Sequence, residues 1–272
     1  MKRYTSNNMM FNQKGKLIGL FSSTGRWVKI RTDENPIIIG ISDLHGDCRT
    51  LNHILDEYFF KIPNSILIAC GDFLDRNPKS WDNEPTAALD TLLNLKLQYP
   101  DRVFLLMGNH DLSPHTHIPF APSNAWDMMS GQTLAFYTEV LESLPIVATV
   151  NDIAFAHGVL PTTTQVDDLP FDEIYNCVWS DYVEHESLGS DSIRKKVGIN
   201  FFQESLDKFS CNLLIKGHNP FAPLISMNQK CITIQTTRQF HDICGSHMVV
   251  VDSTKQLNDV QNAKIVTLET KN

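Results

Sequence analysis

Asp43 and His45 stand two residues apart in SDLHGD (42–47), and four later segments carry similar side chains: GDFLDR (71–76), GNHD (108–111), AHG (156–158) and KGH (216–218). Carboxylates, imidazoles and a neutral amide oxygen are ligands for divalent ions. Two such ions about 3.5–4 Å apart need one bridging carboxylate and separate ligands for each. Asp43 and His45 can reach one ion from a tight turn in which Gly46 relieves crowding. Asp72 is the natural bridge, and Asn109, His157 and His218 supply the second ion. Mixed nitrogen and oxygen ligation favours Mn²⁺, Fe or Zn²⁺ over Ca²⁺.

The residues beside these ligands suit phosphate chemistry. His110 can pass a proton to a leaving oxygen, and Asp75 can orient and charge that imidazole. Arg76 can fork onto two phosphate oxygens. A hydroxide bridging two ions would attack phosphorus in line with the leaving group, without a covalent phosphoenzyme. Singly, each signal is weak: Asp43 could cap a helix, and an Asn-His-Asp could be a hydrogen-bonded turn. The weight lies in five segments that each follow an apolar, β-branched run and so fall at strand carboxyl ends.

The elements that must position them read as follows. Residues 1–35 form an N-terminal arm or hairpin with β-like pieces at Lys16–Phe21 and Trp27–Ile30, and 36–272 form a single compact catalytic domain. Ile37–Ile41 is a continuous apolar run, as expected of a strand covered on both faces. Thr50 caps a helix reaching about Phe60, with Leu51, Ile54, Leu55, Tyr58 and Phe59 on one face. Strands follow at Ser65–Cys70 and Val103–Met107, and helices at about Thr86–Gln98 and Asn124–Leu144, with an irregular, proline-rich stretch at Ser113–Ser123. In the second half, Ile146–Val150 and Ile153–Ala156 flank a hairpin turn. A helix at Asn200–Phe209 and strands at Leu213–Lys216, Cys231–Gln235, His247–Val251 and Ile265–Leu268 complete a largely antiparallel set. The pattern implies an α/β chain, a two-sheet β-sandwich flanked by helices.

With 272 residues and a net charge of −8, the chain can bury a large core and is poorly suited to gripping nucleic acid. Six cysteines show no CxxC pair, which fits reduced thiols in a cytoplasmic setting. No apolar run approaches a signal peptide or membrane span, although signal-independent secretion into a host cell would leave no such mark.

The five segments resemble the metal-binding motifs of calcineurin-like metallophosphoesterases, and within them the phosphoprotein phosphatase branch, as a bacterial-type member. WSD (179–181) is similar to a motif between the last two metal histidines of that branch, and TIQTTRQF followed by GSHMVVVD is similar to its substrate loop and last strands. The resemblance spans about Ile37 to Asp252. It implies an α/β/β/α sandwich, two divalent metal ions (Mn in vitro, with Fe or Zn as alternatives) and a phosphorylated protein as substrate. A regulatory subunit is not identified.

Some positions depart from the family pattern. Ser42 and Asn77 stand where the family has glycine, GNHD replaces GNHE, and Met107 takes the place of a phosphate-holding arginine. Arg194 in IRKKVGINFF resembles another phosphate contact, with Lys195 as fallback and Arg238 as a third choice, against the alternative that 194–196 is a solvated basic face. His115 and His117 read as loop or cleft-rim residues, His241 as a border of the substrate, and His53 and His185 as structural or solvent-exposed. The leading expectation is a serine/threonine-directed phosphatase. The alternatives are a tyrosine-directed or dual-specificity enzyme, including a secreted bacterial effector, and a dinucleoside tetraphosphate hydrolase, against which Asp75 counts. A nuclease would continue the last motif as GHxH, whereas Asn219-Pro220 follows His218. A pure binding module would have lost ligands, and all six are in place.

Overall fold

The computed structural model describes residues 11–31, 36–81, 83–115, 117, 124–185, 194–254 and 260–269. In chain order the strands begin with Trp27–Ile30 (β1), Ile37–Ile41 (β2), Ile66–Ala69 (β3), Val103–Leu105 (β4), Val147–Val150 (β5) and Ile153–Ala156 (β6). There follow Asp181–Tyr182 (β7), Lys196–Val197 (β8), Leu213–Lys216 (β9), Ile225–Ser226 (β10), Cys231–Thr233 (β11), His247–Asp252 (β12) and Ala263–Thr267 (β13). The helices are Lys14–Ser22 (α1), Cys48–Ile54 (α2), Ala87–Gln98 (α3), Asn124–Asp127 (α4), Gly131–Glu142 (α5), Phe171–Trp179 (α6), Ile199–Lys208 (α7) and His241–Cys244 (α8).

Two sheets stack. One has the order β1-β5-β6-β9-β11-β10, the other β13-β12-β2-β3-β4. Side chains alternate across a strand, so Ile38 points between the sheets, where it clusters with Ile68, Phe155, Ile215 and Val249. Ile39 and Ile41 point outward into a second cluster with Leu51, Leu89 and Leu92 of the covering helices. Both faces of β2 are therefore buried, which is why it reads as an unbroken apolar run. Each such side chain removed from water contributes about 1.5–3 kcal/mol.

As expected of a largely antiparallel second half, β5–β6, β10–β11 and β12–β13 pair antiparallel and β12 lies antiparallel to β2. Parallel pairs occur beside them. β6, β9 and β11 pair in parallel, as do β2, β3 and β4, and β1 with β5. The consequence is functional: parallel neighbours end on the same edge of a sheet, so the loops leaving β2, β3, β4, β6 and β9 emerge together.

The anticipated hairpin or arm is different in its described part. Lys16–Phe21 belongs to helix α1, not to a strand, because Leu17 and Phe21, four residues apart, bury against α3 and α5. β1 joins the first sheet beside β5. Asp47, not Thr50, caps α2: its carboxylate accepts from Thr50 N at 3.1 Å and from Thr50 Oγ1 at 2.8 Å. The single helix expected over Asn124–Leu144 is two, parted at Ser130, whose backbone is extended. Its first piece is fastened to the 75–77 loop, since Ala125 N donates to Asp75 Oδ1 and Asn124 Nδ2 to Asn77 O. α6 had no counterpart in the sequence reading. Most of the irregular stretch expected at Ser113–Ser123 lies outside the described residues. Among the described residues no helix is long and apolar enough to cross a membrane.

Candidate dinuclear metal centre

Backbone bonds stitch the first loop to the second and the fourth to the fifth. Asp43 N donates to Gly71 O, His45 N to Asp72 O and Gly46 N to Phe73 O, while Gly217 N donates to His157 O. Asp111 holds two of the loops: its carboxylate accepts from Asp72 N (2.8 Å), Phe73 N (2.9 Å) and Gly108 N (2.8 Å). Gly71 and Gly108 make this approach possible, for a Cβ on Gly71 would lie 2.5 Å from Gly108 Cα. Asp43, His45, Asp72, Asp75, Arg76 and His218 all have φ between 46° and 78°. Non-glycine residues there cost of order 1–3 kcal/mol each and persist only where the surroundings dictate them.

The side chains converge. His45 Nε2 lies 3.7 Å from Asp72 Oδ2 and 4.0 Å from Asp43 Oδ1. Asp72 Oδ1 lies 3.4 Å from His157 Nε2. Asn109 Oδ1 sits 2.9 Å from His157 Nε2 and 2.8 Å from His218 Nδ1. All six candidate ligands are buried. Asp72 lies within 4 Å of a histidine on either side, His45 and His157, which is where the expected bridge should be.

The other nitrogen of each histidine decides what this geometry means. His45 Nδ1 lies 3.0 Å from Leu74 O, His157 Nδ1 2.7 Å from Cys70 O and His218 Nε2 3.0 Å from Trp179 O. Each carbonyl demands a proton on the nitrogen facing it. Burial holds all three imidazoles below their ordinary pKa, His45 at about 4, so they are neutral. Their inner nitrogens therefore present lone pairs to Asn109 Oδ1 and the Asp72 carboxylate, which also present lone pairs. Such a cluster of acceptors fits cations and little else. Asp43, Asp72 and His157 offer ligand atoms within 4.8 Å of one another.

Beside the cluster, His110 Nδ1 lies 3.4 Å from Asp75 Oδ2. Burial pushes the Asp75 carboxyl up to about 8 and the His110 imidazole well below its usual value, so the pair keeps one proton near neutrality. The Arg76 backbone is pinned by Asn124 Oδ1 at 2.7 Å, and its buried Nε has no hydrogen-bond partner. Arg194 Nε lies 2.5 Å from Asp181 Oδ2, and Asp181 Oδ1 lies 4.0 Å from His218 Nε2. The WSD segment thus ties Arg194 to the cluster. Lys195 is exposed.

The remaining candidates have the following places. Arg238 is not available to phosphate: its guanidinium forks onto Asp47 (Nη2–Oδ1 2.9 Å, Nε–Oδ2 3.0 Å) and lies over Trp81. Met107 is fully buried in the core, so that position offers no charge at all. His117 bonds Glu142 at 2.8 Å and stacks on Phe171, away from ligand duty. His53 and His185 are exposed. The sequence shows Ser42 only as a departure from glycine and gives no sign that its Oγ donates to Asp43 Oδ2 at 2.6 Å, nor of the Asp47–Arg238 pair. Only Asp47, three residues before Thr50, carried a legible signal, that of a helix cap.

Two predictions follow from this geometry. Asp111→Ala orphans three buried N–H groups at about 1–3 kcal/mol each, and should lower the melting temperature by roughly 10 °C in a thermal melt. The second concerns pH in chelator-treated protein. Above about pH 7.5 the site histidines are almost wholly neutral folded and unfolded, leaving the carboxylates. Burial and the Asp72 charge raise Asp111 to about 7, and the His110–Asp75 pair releases its proton near 8. A raised folded pKa gives stability that is lost as pH rises through it. The melting temperature should therefore fall from about pH 7.5 to 8.5 with chelator. Added Mn²⁺ should weaken that fall, because positive charge beside these carboxyl groups lowers their folded pKa values.

The calcineurin-like phosphoesterase model matches residues 37–233. A probable serine/threonine-protein phosphatase of Encephalitozoon cuniculi is 27% identical over 256 residues, covering 85% of this chain and 54% of that protein. A PP2A-like serine/threonine-protein phosphatase of Candida albicans is 26% identical over 246 residues, covering 80% of this chain and 56% of that one. The chain thus spans about half the length of these curated relatives. A solved serine/threonine phosphatase of Saccharomyces cerevisiae superposes with a TM-score of 0.76 at 18% identity, over 99% of this chain and 91% of that one. A cold-active protein-tyrosine phosphatase of Shewanella gives 0.52 at 15% identity, over 82% and 78%. Both solved structures speak to fold alone. With strand-end loops that gather the six candidate ligand side chains inside the matched segment, this chain belongs to the calcineurin-like phosphoesterase family.

Proposed function

We infer that the chain is a metal-dependent protein phosphatase that hydrolyses phosphomonoesters, acting on phosphoserine and phosphothreonine. Calcineurin-like phosphoesterases use a dinuclear divalent metal site, and the observation that carries the reading is the meeting of acceptor atoms around Asp72. Asp43, His45, Asp72, Asn109, His157 and His218 would hold the two cations. Bound there, the cations would supply Lewis acidity to phosphoryl oxygens and acidify a water. Mn²⁺ suits the donor set, as do Fe and Zn²⁺.

The chain's own residues do the rest. His110, with Asp75 behind it, keeps a proton for the leaving oxygen. The unpaired Arg76 Nε and the Asp181-anchored Arg194 offer guanidinium groups to phosphate oxygens. The serine/threonine assignment is supported by the relatives named above.

Phosphate release from matched phosphoserine, phosphothreonine and phosphotyrosine peptides and from diadenosine tetraphosphate, with Mn²⁺ and with chelator, tests the reading. Chelator-sensitive turnover of phosphoserine or phosphothreonine is expected. Turnover of phosphotyrosine or the tetraphosphate alone would overturn the assignment, and turnover that survives the chelator would overturn the metal.

A further inference from the structure

Ser42 follows the last residue of β2 and is buried beside the metal centre. Two acceptors lie near its Oγ: Cys70 O at 3.2 Å and Asp43 Oδ2 at 2.6 Å. A hydroxyl has one proton to give, and the carboxylate claims it, because a bond to a charged acceptor is shorter and stronger than one to a carbonyl. Oδ2 also accepts from His218 N at 2.9 Å. Each carboxylate oxygen has two lone-pair directions, so these two donors fill Oδ2. Oδ1 keeps only the longer branch from His218 N, at 3.2 Å, and lies 4.0 Å from His45 Nε2.

The serine is held from three sides. Its backbone N donates to Thr236 Oγ1 at 3.0 Å, and that hydroxyl donates in turn to His247 O. Cys70 O, the other neighbour of Ser42 Oγ, accepts from His157 Nδ1 at 2.7 Å. A Cβ on Gly217 would collide with both Ser42 Oγ and Asp43 Oδ2, so only glycine lets the His218 loop close over this pair. With Oδ2 filled, Asp43 offers a cation one oxygen. That suits a small ion, whereas Ca²⁺ takes roughly 6–8 oxygens and draws on carboxylates that bind through both.

We propose that Ser42 is a positioning residue for the metal centre: by holding Asp43 Oδ2 in a hydrogen bond it leaves Oδ1 for the cation shared with His45, and so sets that position for a small ion such as Mn²⁺ against Ca²⁺. The proposal rests on the dinuclear reading and gives the choice of metal to a side chain that is not itself a ligand. Ser42 acts only through Asp43, and its hydroxyl is committed before any ion arrives.

The test titrates Mn²⁺ into the chelator-stripped chain and counts the free ion by its paramagnetic resonance, with circular dichroism to follow folding. Wild type, Ser42→Ala and Ser42→Gly are compared. Wild type should bind two Mn²⁺. Both variants should lose roughly tenfold to a hundredfold in affinity for one ion, the usual size for a lost outer partner of a ligand, and hold the other within about twofold. Ca²⁺ should then displace the weakened ion at a Ca²⁺-to-Mn²⁺ ratio roughly tenfold below that needed for wild type, because an Oδ2 lone pair has been freed. Unchanged affinity for both ions, or equal weakening of both, would overturn the proposal. So would an unchanged Ca²⁺-to-Mn²⁺ ratio, the mark of a carboxylate that has merely loosened. Variants that stay unfolded even with Mn²⁺ would make Ser42 a structural residue and overturn it as well. A folded wild type that binds fewer than two Mn²⁺ would overturn the dinuclear reading and the proposal together.

Discussion

Replacing Asp72 by asparagine should lower phosphomonoester turnover by about 10³-fold or more while leaving the protein folded. Its Oδ1 accepts from His110 N at 2.8 Å and lies 3.4 Å from His157, and its Oδ2 lies 3.7 Å from His45. Asparagine keeps an oxygen for His110 N but loses the charge and the second carboxylate oxygen. Cations in such a centre stabilise the transition state by several kcal/mol, which sets the size of the loss. Stability gives an independent readout. Burial and then the Asp43 charge raise the Asp72 carboxyl well above its ordinary value. With chelator present, the variant should therefore melt at or above wild type. Mn²⁺ should then stabilise wild type, by about 2.7 kcal/mol at a hundredfold excess over Kd, and scarcely affect the variant. A variant that binds two metal ions per chain and turns over normally would remove Asp72 from the bridging position.

The second large effect is expected at His110. On a phosphoserine peptide, whose alkoxide needs a proton to leave, His110→Gln should cost about 10²–10⁴-fold in turnover, the range for a positioned general acid. On p-nitrophenyl phosphate, whose phenolate leaves unprotonated, the loss should be far smaller. Asp75→Asn should show the same asymmetry at lower amplitude, because it acts through the imidazole at 3.4 Å. Equal losses on the two substrates would instead make His110 a structural residue.

What was legible along the chain was local. Asp43 and His45, Asp72 and Asp75, and Asn109 and His110 lie within short segments behind apolar runs, and a strand end followed by a tight loop displays neighbouring side chains together whatever the rest of the chain does. Burial on both faces also shows in composition, as Ile37–Ile41 illustrates. The serine in the first motif and the missing arginine at Met107 were visible as departures, but their consequences were not.

Tertiary structure decided the rest, for reasons of distance. Arg238 and Asp47 stand 191 residues apart, and nothing near Arg238 announces that a helix-capping carboxylate will take its guanidinium. The glycine-containing segment of α1 has ambiguous local preference. It becomes a helix because Leu17 and Phe21 find α3 and α5 to pack against. Parallel pairing of β6, β9 and β11 depends on how the chain crosses between strands, which side-chain periodicity does not encode. By itself the sequence determined which atoms could bind metal and at which strand ends they stand. Only the folded chain decided that His157 and His218 turn their lone pairs toward Asn109, because the carbonyls that orient them, Cys70 O and Trp179 O, belong to distant parts of the sequence.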